Sequence, residues 1–150
     1  MNNTIVRNVA SFVAAVITAY VIGAIFISQG NIASVVAMKL DISVAQRFDA
    51  AFHDVTHMTN IYLPVIAVSY LIAMPVASLI IKYVPQQRLL LYVLAGAVGL
   101  VAIHVIMKSL IGFSGIAATR SVVGLIAQAI AGGVGGYLFH VISMKREVSQ

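Results

Sequence analysis

Four stretches of this chain, Asn8–Ser28, Met58–Ile81, Leu89–Met107 and Ser121–Met144, contain no Asp, Glu, Lys or Arg, and they run for 21, 24, 19 and 24 residues. About 20 apolar residues in a helix cross a hydrocarbon core of ~30 Å. The sequence therefore predicts an all-α integral membrane protein, a bundle of four transmembrane helices making a single domain over residues 1–150.

Composition narrows the class further. Charged residues are 9% of the chain, against roughly 25% in soluble domains, too few to cover a surface facing water. Cysteine is absent, which excludes disulfides, thiolate metal sites and thiol catalysis. The net charge of +5 is not a nucleic-acid signature, because the cations sit at span ends, where they orient the protein and meet headgroups. Only Arg7 precedes the first apolar run, and that run exceeds a signal-peptide core, so Asn8–Ser28 reads as a retained span.

An even number of crossings places Arg7, Lys82, Arg88, Lys145 and Arg146 on one side and Lys39, Arg47, Lys108 and Arg120 on the other. The first group is larger, so the expected orientation is N-in and C-in. Asp41, Asp49 and Asp54 fall on the outer side. The Tyr83–Arg88 connection, with Pro85 in it, makes the second and third spans an antiparallel pair. Ser109–Thr119, with Gly112 and Gly115, reads as a turn.

The one long connection, Gln29–His57, is patterned. Val36, Leu40, Val44, Phe48, Phe52 and Val55 recur every three or four residues, with Lys39, Ser43, Gln46, His53 and His57 between them. That is the period of an amphipathic helix, either lying in the headgroup plane or folded back as a cap. Gly30 and Asn31 are expected to break the chain after the first span. Within the second span Pro75 frees the carbonyl of Leu71, and Ser69 or Ser78 is expected to repair the deficit.

The fourth span carries small and polar residues at a four-residue spacing, Gly124, Gln128, Gly132 and Gly136, widened by Gly133 and Gly135. Small residues let helix backbones approach closely in lipid. Ala95, Gly99 and Ala102 of the third span offer a partner face within the bundle, and a second protomer is the alternative. Gln128 is expected to hydrogen-bond across to another helix.

The chemistry-bearing residues gather at the outer rim: His53, Asp54, His57, His104, Lys108 and Arg120. Three readings fit them. His53 and His57, four apart on a helix, could share a divalent metal, with His104 or Asp49 completing the shell. The cluster could form a pocket for a ligand, headgroup, quinone or proton, with Lys108 and Arg120 holding an anion. Or they are interfacial side chains that snorkel to phosphates. Bis-histidine haem is disfavoured because His104 and His140 lie toward opposite ends of their spans, and no cofactor is assigned. Nucleophilic hydrolysis and nucleotide binding lack their motifs.

Gly112–Leu138, with Arg120 ahead of a glycine-rich span, resembles small bacterial inner-membrane proteins, and the resemblance implies that location and no functional residue. Small multidrug pumps carry a glutamate in the first span, absent here. The four-helix thiol-oxidising and quinone-reducing enzymes need cysteines. The expectation is a non-enzymatic multi-pass protein, either an accessory subunit of a larger complex or a binding or transport module acting as a homo-oligomer. A His-dependent membrane enzyme, and a proton- or anion-conducting oligomer lined by Gln128, are the alternatives.

Overall fold

A computed structural model of the chain describes residues 2–112 and 117–144, and every regular element in it is helical. The helices are α1 (Asn2–Ala37), α2 (Val44–His57), α3 (Tyr62–Ile81), α4 (Arg88–Ile111) and α5 (Val122–Ser143), with short 3-10 turns at Pro85–Gln87 and Ala117–Arg120. Four of them, all but α2, are long and apolar enough to cross a membrane. Lys145, Arg146 and Gly115 lie outside the described residues.

The first span does not break at Gly30 and Asn31. α1 continues to Ala37, 36 residues in all, about 54 Å at 1.5 Å per residue. A single interior glycine costs a helix only about 1 kcal/mol against alanine, and the turns beyond it are anchored. Ile32 is buried, and the Ser34 hydroxyl donates to the Gly30 carbonyl at 3.2 Å. The helix stops instead after Ala37, where the chain turns at Lys39 with φ +64°, a left-handed conformation that costs a non-glycine residue about 1 kcal/mol. Lys39→Gly is therefore expected to raise stability by about 0.5–1 kcal/mol despite the lost charge, read as a higher thermal midpoint in detergent.

α2 opens on a capping box. The Ser43 Oγ accepts from the Gln46 N–H, and the Gln46 side chain accepts from the Ser43 N–H at 2.8 Å. The helix rests on α1. The Tyr20 hydroxyl donates to the Val55 carbonyl at 2.5 Å, and Gln29 exchanges hydrogen bonds with the Arg47 backbone and guanidinium. Val44, Phe48 and Phe52 point away from this contact, with Phe48 and Phe52 73% and 75% exposed.

α3 carries Pro64 in its first turn, where no helical hydrogen bond is lost, and Pro75 in its interior. The repair expected of the nearby serines is not made. Ser78 donates to Met74 O at 2.8 Å rather than to Leu71, and the buried Ser69 hydroxyl has no hydrogen-bond partner. The α4 segment runs one turn further than Met107 and stops at Gly112, whose φ of +78° gives a left-handed cap with its N–H on Lys108 O.

The four long helices alternate in direction. α5 packs along α4 and α1, α3 packs along α4 and more lightly α1, and α3 faces α5 across the diagonal. Three close seams build the bundle. A Cβ placed on Gly132 would land on the carbonyl oxygen of Gly96, and one on Gly136 on that of Tyr92, so α4 and α5 touch backbone to backbone. Gly135 lies as close to α1, with Ala15 O 2.7 Å from its would-be Cβ. The face of α4 expected from Ala95, Gly99 and Ala102 is not the one that meets α5. Gly99 meets Ser69 and Ala73 of α3, and it is Tyr92, Val93 and Gly96 that meet α5. Tyr62 and Tyr70, both fully buried, fill the diagonal gap, and the Tyr70 hydroxyl donates to Gly132 O at 2.6 Å.

Candidate functional site

The alternation brings α2, the C-terminal half of α1, the start of α3, the end of α4 and the start of α5 to one end of the bundle. Its interior there is polar and tied together. The Tyr62 hydroxyl donates to Gln128 Oε1, and Gln128 Nε2 donates to the Gly23 carbonyl at 3.3 Å. One amide thus joins α5 to both α3 and α1. Gly23 has no side chain because a Cβ would land on the Tyr62 hydroxyl. The Tyr20 ring lies 5.7 Å from the Tyr62 ring, and its hydroxyl is 3.1 Å from Thr59 Oγ1.

His104 faces Tyr62 from α4, with ring centroids 6.1 Å apart. Its Nδ1 lies 2.7 Å from Leu100 O. A carbonyl only accepts, so Nδ1 carries a hydrogen. Its Nε2 is buried without a hydrogen-bond partner.

Outside this knot, a cleft of about 700 Å³ opens between α1 and α5, within the size range of small-molecule sites. Gln128, Ala127 and Gly124 line its α5 side; Phe26, Gly30 and Ala33 line its α1 side. Arg120, Gln29 and Ser34 add polar groups. The small residues explain the opening: Gly30, Ala33, Gly124 and Ala127 leave space that larger side chains would fill. Ser121 caps α5 beside Arg120, its Oγ accepting from the Gly124 N–H at 3.0 Å.

The six rim residues named from the sequence share this end but not one place. His53 and His57 stack face to face on α2 with centroids 4.0 Å apart, and His57 Nδ1 is turned back onto His53 O at 2.9 Å. Asp54 stands 3.5 Å from His53 Nδ1. His104 is buried in the bundle, Lys108 is exposed on the last turn of α4, and Arg120 lines the cleft. Among the described residues no three His, Asp or Glu side chains come together as an ion would need, so His53, His57 and His104 do not converge as a ligand set. Gly124 and Gln128 belong to the cleft, whereas Gly132 and Gly136 are taken up by the seam with α4.

Two groups escaped the sequence reading. Tyr20, Tyr62 and Tyr70 look like packing or interface anchors in the sequence; the eight-residue spacing of Tyr62 and Tyr70, one helix face, is the signal that they point inward together. At the other end of the bundle, a second group gathers around His140. Its ring lies 6.3 Å from Tyr92, over which Arg88 sits at 5.6 Å while donating to Ser143 Oγ at 2.9 Å. Tyr92 also shares a 3.0 Å hydrogen bond with Ser78.

Compared with known proteins, the chain matches no family model, no curated sequence and no solved structure. The four apolar helices point to a small multi-pass membrane protein.

Proposed function

We propose that the chain is a non-enzymatic binding protein of a bacterial inner membrane, and that its cleft between α1 and α5 takes an amphipathic ligand with an anionic head. The cleft carries this reading. Its walls are mostly apolar, and Arg120 is the charged side chain on its lining. Gln128 is already spent on Tyr62 and Gly23, so the lining recognises rather than transfers protons. An elongated apolar body would lie along Phe26, Ala33 and Ala127, with its carboxylate or phosphate beside Arg120.

The N-in and C-in orientation is supported by the count of cations in the sequence, five (Arg7, Lys82, Arg88, Lys145 and Arg146) against four (Lys39, Arg47, Lys108 and Arg120), and with it the cleft opens at the outer face. α2 then lies in the outer headgroup plane, its Phe48 and Phe52 dipping toward the acyl chains. A second reading, an accessory subunit or homo-oligomer, is favoured by the same exposed phenylalanines, which would seat a partner helix.

Binding of a fluorescent fatty acid to the full chain in neutral detergent tests the proposal. Ala127→Phe, which fills the cleft, should weaken binding at least about tenfold with the thermal midpoint little changed. Arg120→Gln should weaken the acid but not its neutral methyl ester, and Lys108→Gln should change neither. Equal binding by the parent and Ala127→Phe would end it.

A further inference from the structure

A second recess lies at the opposite end of the bundle, on the lipid-facing side of α1 and α3. It is a groove of about 600 Å³ with a floor of Met74 and Phe139, both buried, and walls that include Val9, Leu71 and Leu79, all exposed. Pro75 lies along it. From Leu71 to Lys82 it runs about 16 Å along α3, half of a ~30 Å hydrocarbon core and so the depth of one leaflet.

The two ends of the groove differ. Apolar side chains line it toward Leu71, while Asn8 and Lys82 stand at the other end, with Arg7 next along α1. Lys82 is exposed, and the Arg7 Nε is buried without a hydrogen-bond partner. Three of the chain's four acids, Asp41, Asp49 and Asp54, belong to the α2 end; the fourth, Glu147, lies outside the described residues. At the groove's polar end the described lining residues thus offer a cation and an amide, and no carboxylate.

We propose that this groove holds one acyl chain of an anionic phospholipid, with the headgroup phosphate on Asn8 and Lys82. The length selects a chain of one leaflet, and the charge selects an anionic head over a zwitterionic one. The site is separate from the cleft between α1 and α5, and it stands whether or not the cleft binds a ligand.

Native mass spectrometry of the full chain in neutral detergent, with equimolar phosphatidylglycerol and phosphatidylcholine added, tests it. The parent should retain a single lipid, with about a fivefold preference for phosphatidylglycerol. Lys82→Gln should reduce that preference toward parity, and Val9→Trp, which blocks the groove, should lower retention of both lipids. Lys108→Gln and Ala127→Phe, at the far end, should leave both readings unchanged. Equal retention of the two lipids by the parent would overturn the proposal. So would a preference untouched by Lys82→Gln, retention untouched by Val9→Trp, or displacement of the lipid by inorganic phosphate.

Discussion

Gly132→Ile is expected to unfold the bundle, at a cost of about 3 kcal/mol or more, measured as loss of helicity in a denaturing-detergent titration. The obstacle is backbone. A Cβ at Gly132 meets the carbonyl oxygen and carbon of Gly96, and neither can turn aside as a side-chain tip would. To admit even one methyl group, α4 and α5 have to separate, and the Tyr70 hydroxyl then loses Gly132 O. Gly133 supplies the control on the neighbouring position. A Cβ there finds Val93 Cγ1 at 3.5 Å, ordinary contact. Gly133→Ala should therefore be neutral or stabilising by up to about 1 kcal/mol, the gain in helix propensity. The pair also distinguishes two uses of the glycine strip. If Gly132→Ile changed only oligomer size and left each protomer folded, the seam would lie between protomers.

Tyr62→Ala should cost about 3–5 kcal/mol, the range for removing a large buried aromatic side chain. Tyr62 fills the diagonal between α3 and α5, is fully buried, and touches α1, α4 and α5 through Gly23, His104 and Gln128. Tyr62→Phe keeps the volume and removes only the hydroxyl, leaving Gln128 Oε1 unpaired. Its cost should be about 1–2 kcal/mol, since the orphaned acceptor sits in the interior while polar contacts in membranes average less than this. Adding Gln128→Leu to Tyr62→Phe removes the orphan. The double variant should thus lose less than the two single losses summed, and thermal midpoints of the four proteins measure the difference. Strict additivity would show that the hydroxyl and amide do not act as a pair.

The sequence displays the spans because hydropathy over about 20 residues is a property of composition, independent of what packs against what. Helix ends were harder to read. Gly30 and Asn31 look like a stop, but α1 passes through them because Ile32 and the α2 contact hold the extra turns. The small strip on α5 was legible as a packing surface; its partner on α4 was displaced by a single position, from Ala95 to Gly96. One position is 100° of azimuth on a helix, and α4 is small-sided toward both α3 and α5, so composition alone does not say which face meets which. The rim residues behave the same way. Topology puts His53, His57, His104, Lys108 and Arg120 at one end, but the direction of each side chain depends on packing that the sequence pattern does not contain. The cleft was hidden for a further reason: it is made by residues that are small, Gly30, Ala33, Gly124 and Ala127, and an opening has no motif.

Because α1 runs without interruption from Asn2 to Ala37, it behaves as one rod with a recess against each flank, the cleft near one tip and the groove near the other. One helix therefore supplies a wall to both recesses. Deleting a single residue between Phe12 and Phe26 would rotate one wall by about 100° relative to the other, so the length of that stretch fixes the register of the two openings.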